Sequence, residues 1–319
     1  MNRMSPIRYL AVASVAFVLV ACGGSSGGSD GGSESSPSAG GELIVQAASY
    51  DIAANEPGRF IAGVLTADQL FVSYGEVEMD FSYLGAEDGG DPQPGPSATG
   101  EFLAIEGDAD RSGPIAATAS SGRGVYAAEV AFDQAGFWNV ELTADVEGRG
   151  TLSGSAAFEV KEEHLVPAVG EKAPRTENLT PEARDGASLA AIDSRAGEGE
   201  PIPDPELHEM TVAESIRSGR PTLVVISTPV YCVSRFCGPI TDMVSEFAQD
   251  YSNKANFVHI EVWRDFEKQQ INRGAAEWIF RGGDFTEPWV FLVDEDGQIE
   301  ARWDNVAIRS EIEPLLEKL

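Results

Sequence analysis

The chain has 319 residues, 22 basic against 52 acidic, a formal net charge of −30, 34 Gly, 18 Pro and 3 Cys. That length gives room for two ordinary domains. The charge excludes partners held by phosphate neutralisation, DNA and RNA above all, because no basic run supplies the positive surface they need. Three cysteines exclude a disulfide-stapled miniprotein and a clustered four-cysteine zinc site.

Residues 1–21 carry Arg3 and Arg8 followed by an uncharged apolar run from Tyr9 to Ala21, the layout of an export signal and too short for a permanent membrane span. The run ends in Leu19-Val20-Ala21-Cys22, which resembles the lipobox of bacterial lipoproteins. The resemblance implies that Cys22 is lipidated and becomes the first mature residue, anchoring the chain on the extracytoplasmic face of the cell membrane. Of the 20 residues from Cys22 to Gly41, 15 are Gly or Ser, so 22–41 reads as a flexible tether. Loss of the signal leaves 20 basic and 52 acidic residues, a net charge of −32. Anionic headgroups repel such a surface, so the lipid rather than the protein surface is expected to hold the membrane.

From residue 42 to 160 the apolar pattern has period two. Glu76-Val77-Glu78-Met79-Asp80-Phe81-Ser82-Tyr83 alternates, as do Tyr126, Ala128, Val130 and Phe132, and then Trp138, Val140 and Leu142. Strands are predicted near 43–50, 59–65, 69–73, 76–84, 99–105, 124–132, 136–143 and 154–160, separated by turn-rich segments. With no helical pattern between them they predict a β-sandwich. Ala135-Gly136-Phe137-Trp138-Asn139-Val140-Glu141-Leu142 resembles the late strands of immunoglobulin-like accessory domains, which implies a binding or spacing module. This region has no Cys or His. Met79 reads as core, and Asp88, Asp91, Glu106, Asp108 and Asp110 read as a solvated face rather than a calcium site.

Residues 161–205, rich in charge, Pro and Gly, read as a joint. Within it Val166-Pro167-Ala168-Val169-Gly170-Glu171-Lys172-Ala173-Pro174 resembles the opening of redoxin and TlpA-like domains. From 206 to 319 the period changes. Thr222–Ser227 is a continuous apolar strand, Pro239–Tyr251 a helix with Ile240, Met243, Val244, Phe247, Ala248 and Tyr251 on one stripe, and Asn256–Val262 a strand. A helix is predicted over Phe266–Ile279, a buried strand over Trp289–Val293, a hairpin through Asp296-Gly297, and a last helix opened by a Ser310/Glu313 capping box.

At the first strand-to-helix junction stands Thr228-Pro229-Val230-Tyr231-Cys232-Val233-Ser234-Arg235-Phe236-Cys237-Gly238-Pro239. With this loop, the element order and Glu287-Pro288-Trp289, residues 166–319 resemble the thioredoxin-like and redoxin superfamily. The resemblance implies an α/β thioredoxin-like domain, a redox-active cysteine pair, and a cis Pro288 against it that contacts substrate backbone. The sequence departs from the family in spacing, because Ile240 stands where the second cysteine is expected and the partner thiol is Cys232 upstream. Cys237, at the predicted helix N-terminus before Pro239, is expected to attack, Cys232 to resolve, Arg235 to tune the thiolate, and Trp289 to follow the proline at the site. The expected activity is membrane-tethered thiol–disulfide exchange on exported protein thiols or with a membrane redox partner, without a cofactor. Two alternatives stay open: a structural disulfide on a non-catalytic accessory lipoprotein, and copper delivery, since the region also resembles SCO-type proteins and Cys232, Cys237 and His259 then form the ligand set. His164 and His208 read as surface residues.

Overall fold

The computed structural model describes residues 41–87, 90–106, 112–232, 234, 236–281 and 283–319. The signal 1–21, Cys22 and the tether as far as residue 40 lie outside the described residues, as do Asp88, Asp108, Asp110 and Arg235. Nine strands come first: β1 (Gly41–Ala47), β2 (Pro57–Thr66), β3 (Phe71–Ser73), β4 (Glu76–Gly85), β5 (Gln93–Glu106), β6 (Ile115–Ala117), β7 (Arg123–Ala131), β8 (Gly136–Val146) and β9 (Gly150–Val160). Alternation in β4, β7 and β8 turns one set of side chains inward and the other to solvent, as the period predicts.

The sequence reading of an immunoglobulin-like sandwich is overturned by the pairing. The order β1-β9-β8-β4-β5-β7-β2 returns to β1, giving a closed seven-stranded barrel, with β3 and β6 attached beyond β2. Closure depends on β1, which runs parallel to β9 at Gly41 and Glu42 and antiparallel to β2 from Leu43 to Ala47. Sandwich and barrel bury one face of every strand alike, so alternation cannot separate them; the shared strand does, by abolishing the free edges. The barrel is filled by aromatic rings: Phe60 meets Phe81 edge-on at 5.0 Å, Phe81 meets Phe132 at 5.2 Å, and Phe132 meets Trp138 at 4.9 Å. Gly95 makes room for this packing, since a Cβ there would lie 2.5 Å from the Trp138 ring. Pro94 and Pro96 extend β5 earlier than predicted, and they are tolerated because β5 pairs there with β4 alone.

After three short 3-10 turns in 189–207 the remaining elements are α1 (Val212–Arg217), β10 (Thr222–Ser227), α2 (Cys237–Tyr251), β11 (Asn256–Glu261), a ribbon of β12 (Trp263–Asp265) and β13 (Gln270–Ile271), α3 (Arg273–Ile279), a ribbon of β14 (Phe280–Arg281) and β15 (Asp284–Phe285), then β16 (Trp289–Val293), β17 (Ile299–Asp304) and α4 (Arg309–Lys318). Four strands form a mixed sheet in the order β11-β10-β16-β17, with β10 parallel to β11 and the other pairs antiparallel. One face packs Val224, Ile226, Val258, Ile260 and Phe291 against Val212, Trp278 and Ile279. The other packs Leu223, Val225, Phe257, Val290 and Leu292 against Val244, Phe247, Ile312 and Leu316. Burial on both faces is why β10, β11 and β16 are nearly continuous apolar runs.

The assignment of this chain to an α/β thioredoxin-like fold is likewise corrected. Strand accounts for 42% of the structure and helix, the 3-10 turns included, for 18%, with only four short α-helices among the described residues. The helix predicted over Phe266–Ile279 is helical only in the seven residues of α3, because 263–271 fold back on themselves as the β12–β13 ribbon, turning through Gln269 at φ +54°. No Ser310 capping box forms, since α4 already starts at Arg309; the capping box is instead Thr211/Glu214 at α1.

Barrel and mixed sheet belong to one compact unit of residues. Partly buried ionic groups between them form the joint. Arg302 of β17 donates from Nη1 to Asp51 Oδ2 (3.0 Å) and from Nη2 to the Asp51 carbonyl (3.0 Å), with its guanidinium over the Trp289 ring. Arg59 of β2 grips Glu311 through Nε (2.8 Å) and Nη2 (3.0 Å) and faces Asp304. His164, far from being a surface residue, lies 3.2 Å from Asp51 with its side chain 12% exposed. Ile61 and Val125 of the barrel pack on Val306 and Ile308 beside these pairs.

Removing one partner of a buried pair leaves the other charge uncompensated, so Arg302→Ala is expected to lower the unfolding free energy by about 3–5 kcal/mol, read by urea titration. Burial alone raises the Asp51 carboxyl, but hydrogen bonds from His164 and the Leu165 N–H and the Arg302 charge outweigh it and hold it below its ordinary value. The native state then binds fewer protons than the unfolded chain. Its stabilisation is complete above the unfolded value and is lost as pH falls through the lower native one. Asp51→Asn is expected to flatten that part of the acid-denaturation curve, and an unaltered curve would show that Asp51 carries no such linkage.

Candidate functional site

Strand β10 ends at Ser227 and α2 starts at Cys237, so the segment between them is a loop at one end of the mixed sheet. Two contacts fix its course: the Val230 N–H donates to Ser194 Oγ (3.1 Å), and the Tyr231 ring stacks on Phe266 with centroids 4.0 Å apart and planes 3° from parallel. The loop doubles back until the Cα atoms of Cys232 and Cys237 are 6.0 Å apart, and the two are joined as a disulfide.

The two sulfurs have unlike surroundings. Cys232 is partly exposed, and its Sγ lies 3.3 Å from the Cys237 backbone nitrogen and 3.3 Å from Ser234 Oγ. An N–H in the first turn of a helix has no partner inside the helix, so it is free to serve this sulfur, and the positive end of α2 lies beside it. Cys237, the residue expected from sequence to attack, is 0% exposed. Its Sγ lies 2.8 Å from Glu287 Oε2. A carboxylate disfavours a thiolate at that distance and is placed to accept the proton of the reduced thiol.

Glu287 is held by the peptide it shares with Pro288, which is cis, and by Tyr50, whose hydroxyl donates to the Glu287 carbonyl (2.9 Å). Burial, followed by the nearby Asp304 and Glu287 carboxylates, pushes the Tyr50 hydroxyl far above its ordinary value, so it remains a donor. The Tyr50 N–H donates in turn to the Asp304 carboxylate. Asn305, at φ +55°, completes the tie by donating its N–H to the Pro288 carbonyl (2.9 Å) and its side-chain amide to the Ala48 carbonyl (2.9 Å). The barrel segment before β2 therefore touches the residues that face the disulfide.

Beside the loop runs a largely apolar groove of about 880 Å³. One wall is barrel, including Ile44, Leu65, Phe71 and Val125; the other is Tyr231, Phe236, Trp263, Phe266 and Phe285, with Glu287 and Ser234 at the cysteine end.

Of the residues singled out from sequence, Cys232 and Cys237 are joined, and Pro288 directly follows the Glu287 that meets Cys237 Sγ. Pro239 lies in the first turn of α2 and lines a different, smaller cavity with Ile240 and Met243. Trp289 is core, 1% exposed and stacked on Phe291, its indole N–H donating to Thr286 Oγ1 (3.1 Å). His259 does not join the cysteines; it belongs to a separate buried group with Asp193 and His208, and the carboxylate grouped with the two sulfurs is Glu287. His208, expected at the surface, is 0% exposed. Glu287, Ser234 and Tyr50 were missed by sequence reasoning. Glu287 had a signal in its place directly before Pro288, whereas Tyr50, in another part of the chain, had none.

No protein-family model matches the chain, and no curated protein is similar to it.

After reduction, alkylation followed by mass mapping is expected to label Cys232 before Cys237, in line with exposure and local donors; labelling of Cys237 first contradicts the geometry above. Glu287→Gln is expected to slow closure of the disulfide at pH 7 by about 100-fold, the usual scale for loss of a placed general base.

Proposed function

We propose that the chain carries out thiol–disulfide exchange through Cys232 and Cys237 on thiols of exported proteins, tethered by lipid at Cys22 to the extracytoplasmic face of the cell membrane. The observation that carries the reading is the asymmetry of the pair: an accessible sulfur fed by two donors beside an apolar groove, and a sealed sulfur against a carboxylate. The anchor rests on the Leu19-Val20-Ala21-Cys22 sequence and the Gly/Ser stretch after it, and an oxidising compartment suits a disulfide.

In the oxidising direction a client thiolate attacks Cys232 Sγ, the Cys232–Cys237 bond breaks, and Cys237 leaves as a thiolate that takes up a proton with Glu287 as the nearby acid–base group. A second client thiolate then attacks the client sulfur of the mixed disulfide and expels Cys232. The client loses two electrons and two protons, and the pair gains them. In the reverse direction the Cys232 thiolate attacks and Cys237 resolves. The roles are thus opposite to those expected from sequence, because the helix N–H serves the upstream sulfur. The groove gives room for the residues flanking the client cysteine.

The test is a trap. With a cysteine-containing peptide disulfide as probe, Cys237→Ser is expected to accumulate a mixed disulfide on Cys232, and Cys232→Ser to accumulate none. A static staple predicts something else: no adduct with either variant, and a loss of about 2 kcal/mol of stability on reduction, the scale for so short a loop. That result overturns the proposal.

A further inference from the structure

Near the end of β10 that leads into the cysteine loop, Asp193, His208 and His259 meet with side chains at 0% exposure. They come from three places: Asp193 caps a 3-10 turn in the 161–205 segment, His208 follows another such turn, and His259 sits in the middle of β11. Their ligand atoms lie within 4.8 Å of one another. His208 Nε2 is 3.5 Å from Asp193 Oδ2, and His259 Nδ1 is 3.6 Å from the same oxygen.

These spacings are too long for good hydrogen bonds. Both nitrogens of His208 and Nδ1 of His259 are buried without any hydrogen-bond partner, a costly arrangement for imidazoles enclosed by protein. Separations near 3.5 Å are, however, the edges of a tetrahedron whose corners stand about 2.0–2.2 Å from its centre, the ligand distance of zinc with imidazole and carboxylate. The outer nitrogen of His259 is already oriented, with Nε2 3.0 Å from Ser227 Oγ, as the far nitrogen of a metal-bound histidine generally is.

Charge agrees with a cation. Arg195 donates to Asp193 Oδ1 through its N–H (2.9 Å) and Nε (3.0 Å), and its Nη2 reaches Oδ2 (2.7 Å). That guanidinium also contacts Asp204 (2.7 Å) and Asp242 (2.9 Å), so it stays paired when Oδ2 turns to a metal. Glu261, 1% exposed, lies next to the group and accepts the Ser194 N–H (2.8 Å). Three carboxylates thus contact one guanidinium, and Glu261 adds a fourth carboxyl group beside His259.

We propose that Asp193, His208 and His259 form a zinc(II) site with Ser227 as the positioning residue of His259, distinct from the cysteine pair and independent of the exchange reading. Bound zinc ties the 161–205 segment to β11, a structural role in keeping with its burial.

The experiment uses the full chain with Cys22, Cys232 and Cys237 all replaced by Ser, which removes every thiol, and zinc chloride competed against a chromophoric chelator. The expected result is one zinc per chain, zinc-edge X-ray absorption with nitrogen and oxygen neighbours only and imidazole outer-shell scattering, and binding weakened at least tenfold by Ser227→Ala or His208→Gln. Retention of no stoichiometric zinc overturns the proposal, as does an absorption spectrum without imidazole, or an affinity unmoved by His208→Gln. If His208→Gln fails to fold, the absorption spectrum of the thiol-free chain and the Ser227→Ala titration decide the matter.

Discussion

Two half-buried arginines fasten the barrel to the mixed sheet, and the placement of the cysteine site depends on that clasp. Arg302 reaches from β17 to Asp51, and Arg59 reaches from β2 to Glu311 and Asp304, so each unit contributes both a cation and its counter-charge. Asp304 is buried and Glu311 partly so, and their carboxyls are raised by desolvation, which Arg59 opposes. Desolvated charges of this kind contribute little net stability but penalise misalignment, because a shifted partner leaves an unpaired ion behind. The clasp therefore fixes register more than it adds free energy. Its consequence at the site is direct: Tyr50, next to Asp51, donates to the Glu287 carbonyl, and the Ala48 carbonyl accepts from Asn305, whose N–H donates to the Pro288 carbonyl.

The chemical asymmetry of the disulfide follows from where α2 begins. Had the helix started one turn earlier, the N–H groups of its first turn would serve residues upstream of Cys232. Starting at Cys237, it aims the Cys237 N–H at the Cys232 sulfur. The same start buries the Cys237 side chain under the helix, where Glu287 is the polar group it meets. Exposure, donor supply and a carboxylate are thus divided between two sulfurs by one backbone position, and a pair with unlike environments is what sequential exchange uses.

The sequence made the strands of the barrel readable because each carries its own alternation, and the two-sided apolar runs of β10, β11 and β16 were readable for the same local reason. What failed depended on pairings between distant segments. Closure of the barrel is decided by β1 meeting both β2 and β9, and nothing in Glu42–Ala47 marks two partners. The false helix over Phe266–Ile279 shows a related limit: Ile271, Ala275, Trp278 and Ile279 fit a helical stripe, but Ile271 pairs with Trp263 in a ribbon and only the last turns are helical. At the site, Cys232 and Cys237 were visible from their spacing, whereas their unlike surroundings were not, since these rest on the direction of a single N–H and on the burial of Cys237. His208 looked like a surface histidine because its neighbours are charged, and its burial comes from the 161–205 segment folding over it.

The histidine group and the disulfide are separate sites joined by a short chain of hydroxyls. His259 Nε2 meets Ser227 Oγ (3.0 Å), Ser227 Oγ meets Thr241 Oγ1 (2.7 Å), and Thr241 donates to the Cys237 carbonyl (2.8 Å). The Thr241 bond spans the first turn of α2, so the chain ends on the backbone of the residue whose N–H serves Cys232. From the other side the loop is held by Ser194, which neighbours Asp193. Whatever fixes Asp193 and His259 therefore also fixes both ends of the cysteine loop. Such a rigid second layer holds a loop's side chains in one arrangement more tightly than the loop does on its own, which is what the proposed exchange would need. The 161–205 segment, which lacks any regular period, thereby acquires a physical reason for its course: it covers the histidines and braces the loop from behind.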